Sequence, residues 1–316
     1  MIFAKTLPKT LITLLSLIAG FLVAITGISP AQAATSSVGI KPSYLAIDSS
    51  GNVYSANSGD GTISKIAPTG EVTLLADLSP KKPKVLAFDS AGVLYTATTT
   101  GNIYKVGSDG TFTSFGKVGN SPSALVFDST GNLFSANYFD NTVSKVTTAG
   151  AVSLFAVVGS RPTGMVIDSA GNLFTSNYLD GTITKITIAG AVSTLATLEI
   201  GSAALALDAS GNLLVANSED NNIYKVTAAG VVSTLAKVGK SPRAIAIDSD
   251  GLIYTANYLD GTISKVTAAG QVSTFAVTGN GPIHFLFNSS KTLYVANFSD
   301  NTVTVVKTST AKPAAP

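Results

Sequence analysis

The sequence predicts an all-β fold, a seven-bladed β-propeller built from four-stranded antiparallel blades. One observation is a short apolar segment that recurs at intervals of about 40 residues and ends at Asp48, Asp89, Asp128, Asp168, Asp208, Asp248 and Asn288. The other is that each repeat holds four strand-like segments and that no helical period appears after residue 33. Such units are typical of propellers, because each blade buries both faces against its neighbours and therefore repeats the same apolar pattern.

The sixth repeat shows the four strands in order. RAIAID (243–248) is an unbroken apolar run, as expected of a strand buried on both faces. LIYTAN (252–257) follows a Ser-Asp-Gly turn, and YLDG then supplies Asp-Gly, a strong hairpin signal. TISKVT (262–267) alternates and is rich in β-branched residues, and QVSTFAV (271–277) completes the unit. A Gly/Pro loop leads into the next repeat.

The last repeat contains three strand segments instead of four. Residues 34–40, ATSSVGI, align with the end of a fourth strand, so we expect them to close the ring by pairing with residues 302–307. One propeller domain is therefore predicted over 34–307. The tail 308–316, TSTAKPAAP, carries two prolines and is predicted to be disordered.

Residues 1–33 are predicted to be a secretory signal peptide. Lys5 and Lys9 precede a charge-free apolar stretch, residues 11–28, and Ala31-Gln32-Ala33 forms an A-x-A cleavage pattern. The alternative is a retained membrane anchor, since this stretch is just long enough to span a bilayer. Cleavage after Ala33 predicts a secreted, periplasmic or cell-surface protein without a stable membrane span.

Composition excludes several classes of site. Removing Lys5 and Lys9 with the signal peptide leaves 18 of the 20 basic residues against 18 acidic ones, so no basic stripe indicates nucleic-acid binding. The chain has no cysteine, which excludes disulfides, thiolate metal sites and a cysteine nucleophile. We expect a monomer held together by packing alone.

The loop before the first strand and the loop between strands two and three should lie on one face of each blade, here called the loop rim. Aromatic residues occupy one rim position in four of the blades and could stack on a sugar or peptide, or pack on the neighbouring loop. The candidate ligand-binding residues are these rings and three loop charges: Tyr138, Tyr178, Tyr258, Phe298, Arg161, Arg243 and Glu199.

His284 is the chain's single histidine, at a position where other blades carry mostly small or apolar residues. It is the candidate acid/base if the protein is an enzyme, and otherwise one satisfied polar residue. The asparagines that end the second strands and the aspartates of the following turns have a structural interpretation, namely turn capping. Those aspartates are dispersed over six blades, so no metal ligands are predicted.

The repeat P-x-x-[ILVA]-x-[ILF]-D-S-x-G-N-[LV]-[YF]-x-[AS]-N resembles the NHL-repeat and SMP-30/gluconolactonase-like propellers. The last copy, LYVANFSDNTVTVVK, resembles the YVTN repeats of microbial surface-layer propellers, and the array over 38–307 resembles the virginiamycin B lyase-like propellers. The resemblance to the lyase-like group implies histidines and glutamates around a magnesium ion. The gluconolactonase-like group implies Glu, Asn and Asp around a divalent metal. This sequence shows neither set.

The leading hypothesis is therefore an exported, non-catalytic propeller without a cofactor that binds a protein, peptide or carbohydrate through its loop rim. The alternative is a divalent-cation-assisted lyase or hydrolase in which His284 acts as acid/base. A cell-surface structural role is a third possibility, indicated by the YVTN-like last repeat. Convergence of His284, Arg243, Glu199 and a carboxylate on one point would favour the enzyme.

Overall fold

A computed structural model describes residues 33–307, and the predicted signal peptide up to residue 32 and the tail 308–316 lie outside them. The described residues form 28 strands and no helix, arranged as seven four-stranded antiparallel sheets. The first strands of successive sheets contact one another in turn, and the first and last sheets also meet. The prediction of a seven-bladed propeller is confirmed. Because residues 33–307 lack helices, none of them forms a helix that could cross a bilayer.

Six blades are built from four consecutive strands each. Blade 1 comprises β2 (Pro42–Ile47), β3 (Val53–Asn57), β4 (Thr62–Ile66) and β5 (Val72–Asp77). Blade 2 comprises β6 (Pro83–Phe88), β7 (Leu94–Thr98), β8 (Asn102–Val106) and β9 (Phe112–Lys117). Blade 3 comprises β10 (Pro122–Phe127), β11 (Leu133–Asn137), β12 (Thr142–Val146) and β13 (Val152–Val157). Blade 4 comprises β14 (Pro162–Ile167), β15 (Leu173–Asn177), β16 (Thr182–Ile186) and β17 (Val192–Thr197). Blade 5 comprises β18 (Ser202–Leu207), β19 (Leu213–Asn217), β20 (Asn222–Val226) and β21 (Val232–Lys237). Blade 6 comprises β22 (Pro242–Ile247), β23 (Ile253–Asn257), β24 (Thr262–Val266) and β25 (Val272–Val277).

Blade 7 joins the two ends of the described chain. It comprises β26 (Pro282–Phe287), β27 (Leu293–Asn297), β28 (Thr302–Val306) and, as its outer strand, β1 (Ala33–Ser37). β1 pairs antiparallel with β28 over five residues, from Ala33 opposite Val306 to Ser37 opposite Thr302. The expectation that the N-terminal segment completes the last blade is confirmed, with the strand beginning one residue before the predicted stretch.

The turn after each first strand explains the repeated Asp-x-x-Gly pattern. In blade 1, Asp48 Oδ1 accepts hydrogen bonds from the backbone N–H groups of Ser50 and Asn52, both at 2.9 Å. Gly51 adopts a φ of 82°, a left-handed conformation that costs glycine little. The same side-chain bonds recur in blades 2 to 6, and Asn288 makes them in blade 7.

The hydrophobic core lies between blades. Leu125 of blade 3, for example, packs in one cluster with Val85 and Tyr95 of blade 2, and Leu45 of blade 1 packs with Tyr294 of blade 7. The second strand of each blade is buried along its whole length, whereas the outer strands expose apolar side chains such as Leu74 and Leu154. The blade-to-blade packing fixes the first strands around the centre.

Each first strand carries a β-bulge at its second residue. In blade 1 the pairing with β3 shifts register between Pro42 and Tyr44, and the same shift occurs in the other six blades. A bulge inserts an extra residue and redirects the local side chains. The seven bulged residues, here called the bulge ring, are Ser43, Lys84, Ser123, Thr163, Ala203, Arg243 and Ile283.

Candidate functional site at the channel mouth

A cavity of about 530 Å³ opens at the centre of the propeller, at the loop-rim end of the first strands. All seven blades line it, and we call it the channel mouth. Its wall contains the bulge ring and the residues that follow it, here called the second ring: Tyr44, Val85, Ala124, Gly164, Ala204, Ala244 and His284. A cavity of this size, mostly apolar with a few polar groups, is typical of a small-molecule site.

The second ring divides the channel mouth into a bulky side and an open side. Tyr44 and His284, from neighbouring blades 1 and 7, stack with ring centroids 3.8 Å apart and planes inclined by 29°. Blades 3 to 6 carry only alanine or glycine at this position. At Gly164 a Cβ atom would lie 2.8 Å from Ser176 Oγ and 3.2 Å from Ala204 Cα, so close packing between blades 4 and 5 requires glycine there. A ligand has room on the side of blades 3 to 6.

His284 is held as a neutral imidazole. Its Nδ1 accepts a hydrogen bond from the Leu45 backbone N–H at 3.2 Å, which places the ring proton on Nε2. Burial lowers the pKa of His284 to about 3, because the charged form would lose its hydration without gaining a counter-charge. With Nδ1 occupied and Nε2 protonated, the imidazole can donate a hydrogen bond but has no free basic nitrogen.

Lys84 lies in the bulge ring of blade 2. Its Nζ donates a hydrogen bond to Ser121 Oγ at 2.8 Å and lies 5.8 Å from the centroid of the Tyr138 ring. Burial lowers the pKa of the Lys84 amine to about 8, since the ammonium is desolvated without a carboxylate beside it. Sequence reasoning missed this residue. The signal was available, because Lys84 follows the loop proline at the same repeat position as Arg243.

The structure brings four of the predicted site residues to the channel mouth: Tyr138, Phe298, Arg243 and His284. Arg243 is exposed, and its guanidinium carbon lies 5.6 Å from the centroid of the Tyr258 ring. Lys41 Nζ lies 5.7 Å from the centroid of Phe298. Lys41 itself lies outside the cavity wall. The wall contains two cations, the His284 imidazole and four aromatic rings: Lys84, Arg243, Tyr44, Tyr138, Phe285 and Phe298.

The other four predicted residues lie outside that wall. The Tyr178 hydroxyl donates to the Glu219 carboxylate on the next blade, which raises the tyrosine pKa. The Tyr258 hydroxyl lies 3.3 Å from Ser299 Oγ, also on the next blade. Arg161 Nη1 donates to the Tyr138 hydroxyl at 3.4 Å. These contacts match the alternative in which rim rings pack on neighbouring loops.

Glu199 does not join His284 and Arg243. Its side chain is exposed and lies near Tyr224 of blade 5. Burial and the hydrogen bond to Asp220 raise the pKa of Tyr224, and the negative charge of Glu199 adds to them. No aspartate or glutamate belongs to the channel-mouth wall. The convergence of base, cation and carboxylate that would favour an enzyme is therefore incomplete among the described residues.

The rim asparagines and aspartates have structural partners. Asn57 is buried, and its Nδ2 donates to Thr62 Oγ1 at 3.0 Å and Ser64 Oγ at 2.9 Å, so it ties the second strand to the third rather than capping the turn. Asp60 does cap that turn, and its Oδ2 also accepts the Ile40 N–H at 2.6 Å. Equivalent bonds recur in other blades.

Magnesium, which the resemblance implies, does not fit the residues present. Within residues 33–307 no three His, Asp or Glu side chains come together in a way that could hold a metal ion. The rim aspartates hold the turns and entry loops of their own blades. His284 is the single His, Asp or Glu side chain of the channel-mouth wall, and its Nδ1 is already bonded. No step through a metal is derived for this site.

Comparison with known proteins agrees with the fold. The profile of the virginiamycin B lyase family matches residues 26–233, which is more than half of the 316 residues. Arg243 and His284 lie beyond the matched stretch, whereas Lys84 and Tyr138 lie inside it. No curated protein sequence is significantly similar to the chain.

Solved structures with a similar fold include virginiamycin B lyase from Staphylococcus aureus, with a TM-score of 0.77 and 15% identity over 88% of this chain and 100% of that one. A catalytically inactive histidine-to-alanine variant of the same enzyme, solved with quinupristin, gives a TM-score of 0.76 at 15% identity over 88% and 100%. A structure described as a gluconolactonase gives 0.57 at 16% identity over 88% and 92%. At these identities the likeness shows the fold alone.

Proposed function

Because the chain belongs to the virginiamycin B lyase family, we propose that it is a ligand-binding β-propeller whose site is the channel mouth. The observation that supports this proposal most directly is the cavity of about 530 Å³ that all seven blades line. Its open side, formed by the small residues of blades 3 to 6, leaves space for a ligand, and Lys84 and Arg243 of the bulge ring supply hydrogen-bond donors.

Filling the open side tests this proposal. Ala204→Tyr places in blade 5 the residue that blade 1 already carries at the same repeat position, so the blade can hold it. The probes are naphthalene-2-carboxamide and naphthalene-2-carboxylate, titrated by ligand-observed NMR. We expect saturable binding of at least one probe to the wild-type protein and loss of that binding in Ala204→Tyr.

Ser210→Tyr is the matched control, because Ser210 is exposed in the turn that follows the first strand of the same blade. That variant should bind like the wild type. Failure of both probes to bind, or equal binding by the wild-type protein and Ala204→Tyr, would contradict a ligand site at the channel mouth.

Export belongs to the same proposal. The N-terminal features of residues 1–33 support a cleaved signal peptide, and cleavage after Ala33 would remove only the first residue of β1. The remaining residues of β1 would still complete blade 7. N-terminal sequencing of the exported protein should give Ala34 first, whereas an intact Met1 would indicate a retained anchor.

Lyase activity is the second candidate, and family membership is the observation that favours it. The relative solved with quinupristin is a lyase whose histidine-to-alanine variant is inactive. In this chain His284 would have to supply that chemistry, although its Nδ1 is bonded to the Leu45 N–H. Incubation with quinupristin, with and without Mg²⁺, and chromatography of the product test this candidate. We expect no conversion; conversion lost in His284→Ala would establish the lyase.

A further inference from the structure

We propose that the ligand of the channel mouth is a small organic anion with an apolar body, and that the positive charges of Lys84 and Arg243 on the cavity wall select it. This inference rests on the proposed function, because it names the chemical class of the ligand for the same site. Carboxylate and phosphate share the relevant chemistry, since both accept charge-assisted hydrogen bonds from ammonium and guanidinium groups.

The charges of the channel-mouth wall are all of one sign. Lys84 and Arg243 belong to the wall, and no aspartate or glutamate does. Among residues 33–307 the salt bridges are Lys225 with Asp208 and Lys291 with Asp250, so neither channel-mouth cation is neutralised by an ion pair. Glu219 is the carboxylate linked to Arg243 through Tyr178, since both charges act on the Tyr178 pKa, but it lies outside the wall and binds the Tyr178 hydroxyl. A wall whose own charges are positive favours a ligand that brings negative charge.

The repeat shows that these cations are not needed to build the blades. At the same position Ser43, Ser123 and Thr163 donate their hydroxyl protons to carbonyl groups of the next blade, at 2.9, 2.7 and 2.8 Å. Ala203 and Ile283 occupy it in blades 5 and 7. Small hydroxyl or apolar residues therefore satisfy the fold. Lys84 also bonds the next blade, through Ser121, but this contact does not require the positive charge that Lys84 adds.

Lys84 retains a donor for a ligand. An ammonium group has three protons. Lys84 Nζ donates to Ser121 Oγ at 2.8 Å and approaches the Ser121 carbonyl oxygen at 3.5 Å, which leaves one proton. Arg243 makes one bond, from Nε to Ser241 Oγ at 3.3 Å, so its terminal nitrogens have no partner among the described side chains.

Aromatic rings hold the cations without neutralising them. Tyr138 contacts two cations, with Lys84 Nζ at 5.8 Å and the Arg161 guanidinium carbon at 5.4 Å from its centroid. Tyr258 supports Arg243 in the same way at 5.6 Å. An aromatic face attracts a cation through its quadrupole but carries no net charge. The positive charge thus remains available at the channel mouth.

The walls between the cations accept an apolar body. Ala124, Gly164, Ala204 and Ala244 form the second ring on the open side, and the Tyr44 and His284 rings stack on the other side. These surfaces offer few hydrogen-bond acceptors. The body of the ligand would therefore bind by apolar packing, and its anionic group by attraction to the cations.

The test compares two probes of the same shape, naphthalene-2-carboxylate and the neutral naphthalene-2-carboxamide, by ligand-observed NMR titration at pH 7. We expect the carboxylate to bind about tenfold more tightly, as a charge-assisted bond predicts. Lys84→Gln and Arg243→Gln should each weaken carboxylate binding severalfold and leave carboxamide binding unchanged. Naphthalen-2-yl phosphate as a third probe distinguishes phosphate from carboxylate: tighter binding of either one identifies the preferred group.

Lys82→Gln and Lys240→Gln are the matched controls, because both lysines are exposed in the loops just before Lys84 and Arg243 and lie outside the cavity wall. They should bind both probes like the wild type. Since Arg243 is exposed, Arg243→Gln keeps the test valid even if Lys84→Gln fails to fold.

Equal affinity for carboxylate and carboxamide, with both lost in Ala204→Tyr, would overturn the anion proposal and leave the binding function intact. Equal weakening by the control variants would overturn the assignment to Lys84 and Arg243. Absence of binding by every probe would overturn the proposed function together with this inference.

Discussion

Lys84 shows how a single residue can depart from a repeat. A buried ammonium without a counter-ion costs stability, and burial lowers the Lys84 pKa to about 8 from its ordinary 10.5. Side chains that are kept in place at a cost in stability are typical of functional sites. The contacts to Ser121 and Tyr138 offset part of that cost.

Replacing Lys84 with methionine should raise the free energy of unfolding by about 1–3 kcal/mol at pH 7. The unfolded chain binds the lysine proton up to about pH 10.5 and the folded protein only up to about pH 8. Between these values the unfolded state carries more protons, so the penalty is full below pH 8 and disappears as the pH approaches 10.5. Urea unfolding of both proteins at pH 7 and pH 10 measures the difference.

Lys82→Met is the control for this experiment, since Lys82 is exposed and its replacement should change stability by less than about 0.5 kcal/mol. A wild-type protein that is more stable than Lys84→Met by the same amount at both pH values would contradict the prediction. Such a result would mean that the hydrogen bond and packing of Lys84 outweigh the burial of its charge.

At the scale of elements, the bulged first strands form the cavity wall and β1 closes the ring of blades. The bulge brings two consecutive residues of each first strand to the cavity wall, as Ser43 and Tyr44 show in blade 1. β1 has a different role, because it covers the edge of β28 that would otherwise be unpaired. An unpaired strand edge is a template for aggregation.

A chain that begins at Val38 should therefore be less stable than one that begins at Ala34. It loses β1, and with about 1 kcal/mol for each net hydrogen bond the expected loss is about 2–5 kcal/mol. Thermal unfolding measures the loss, and size-exclusion chromatography at micromolar concentration should show association through the exposed edge of β28. Equal melting temperatures for the two chains would show that blade 7 does not need its outer strand.

At the scale of the whole molecule, seven similar blades produce one asymmetric cavity. The blades repeat their cores and turns, but the two rings differ from blade to blade, with cations in blades 2 and 6 and large rings in blades 1 and 7. A ring of identical blades would enclose a cavity with seven equal sectors. The substitutions in the rings convert this symmetry into a single cavity with a bulky side, an open side and positive charge.

The sequence alone determined the fold, because the patterns that predict strands and turns are local in the chain. Alternation and Asp-Gly turns act within one blade, and the 40-residue spacing counts the blades. The pairing of the N-terminal segment with the last blade followed from counting strands. It also identified Tyr138, Phe298, Arg243 and His284, which line the channel mouth.

Only the tertiary structure decided which residues face the same space. Tyr178 and Tyr258 occupy the same repeat position as Tyr138, yet their hydroxyls engage Glu219 and Ser299 on the next blade. Glu199 and His284 are both exceptions to the repeat, but they lie on different parts of the molecule. The physical reason is that a repeat fixes position within a blade, whereas contacts across the central cavity join residues far apart in sequence and depend on how the bulges direct the side chains.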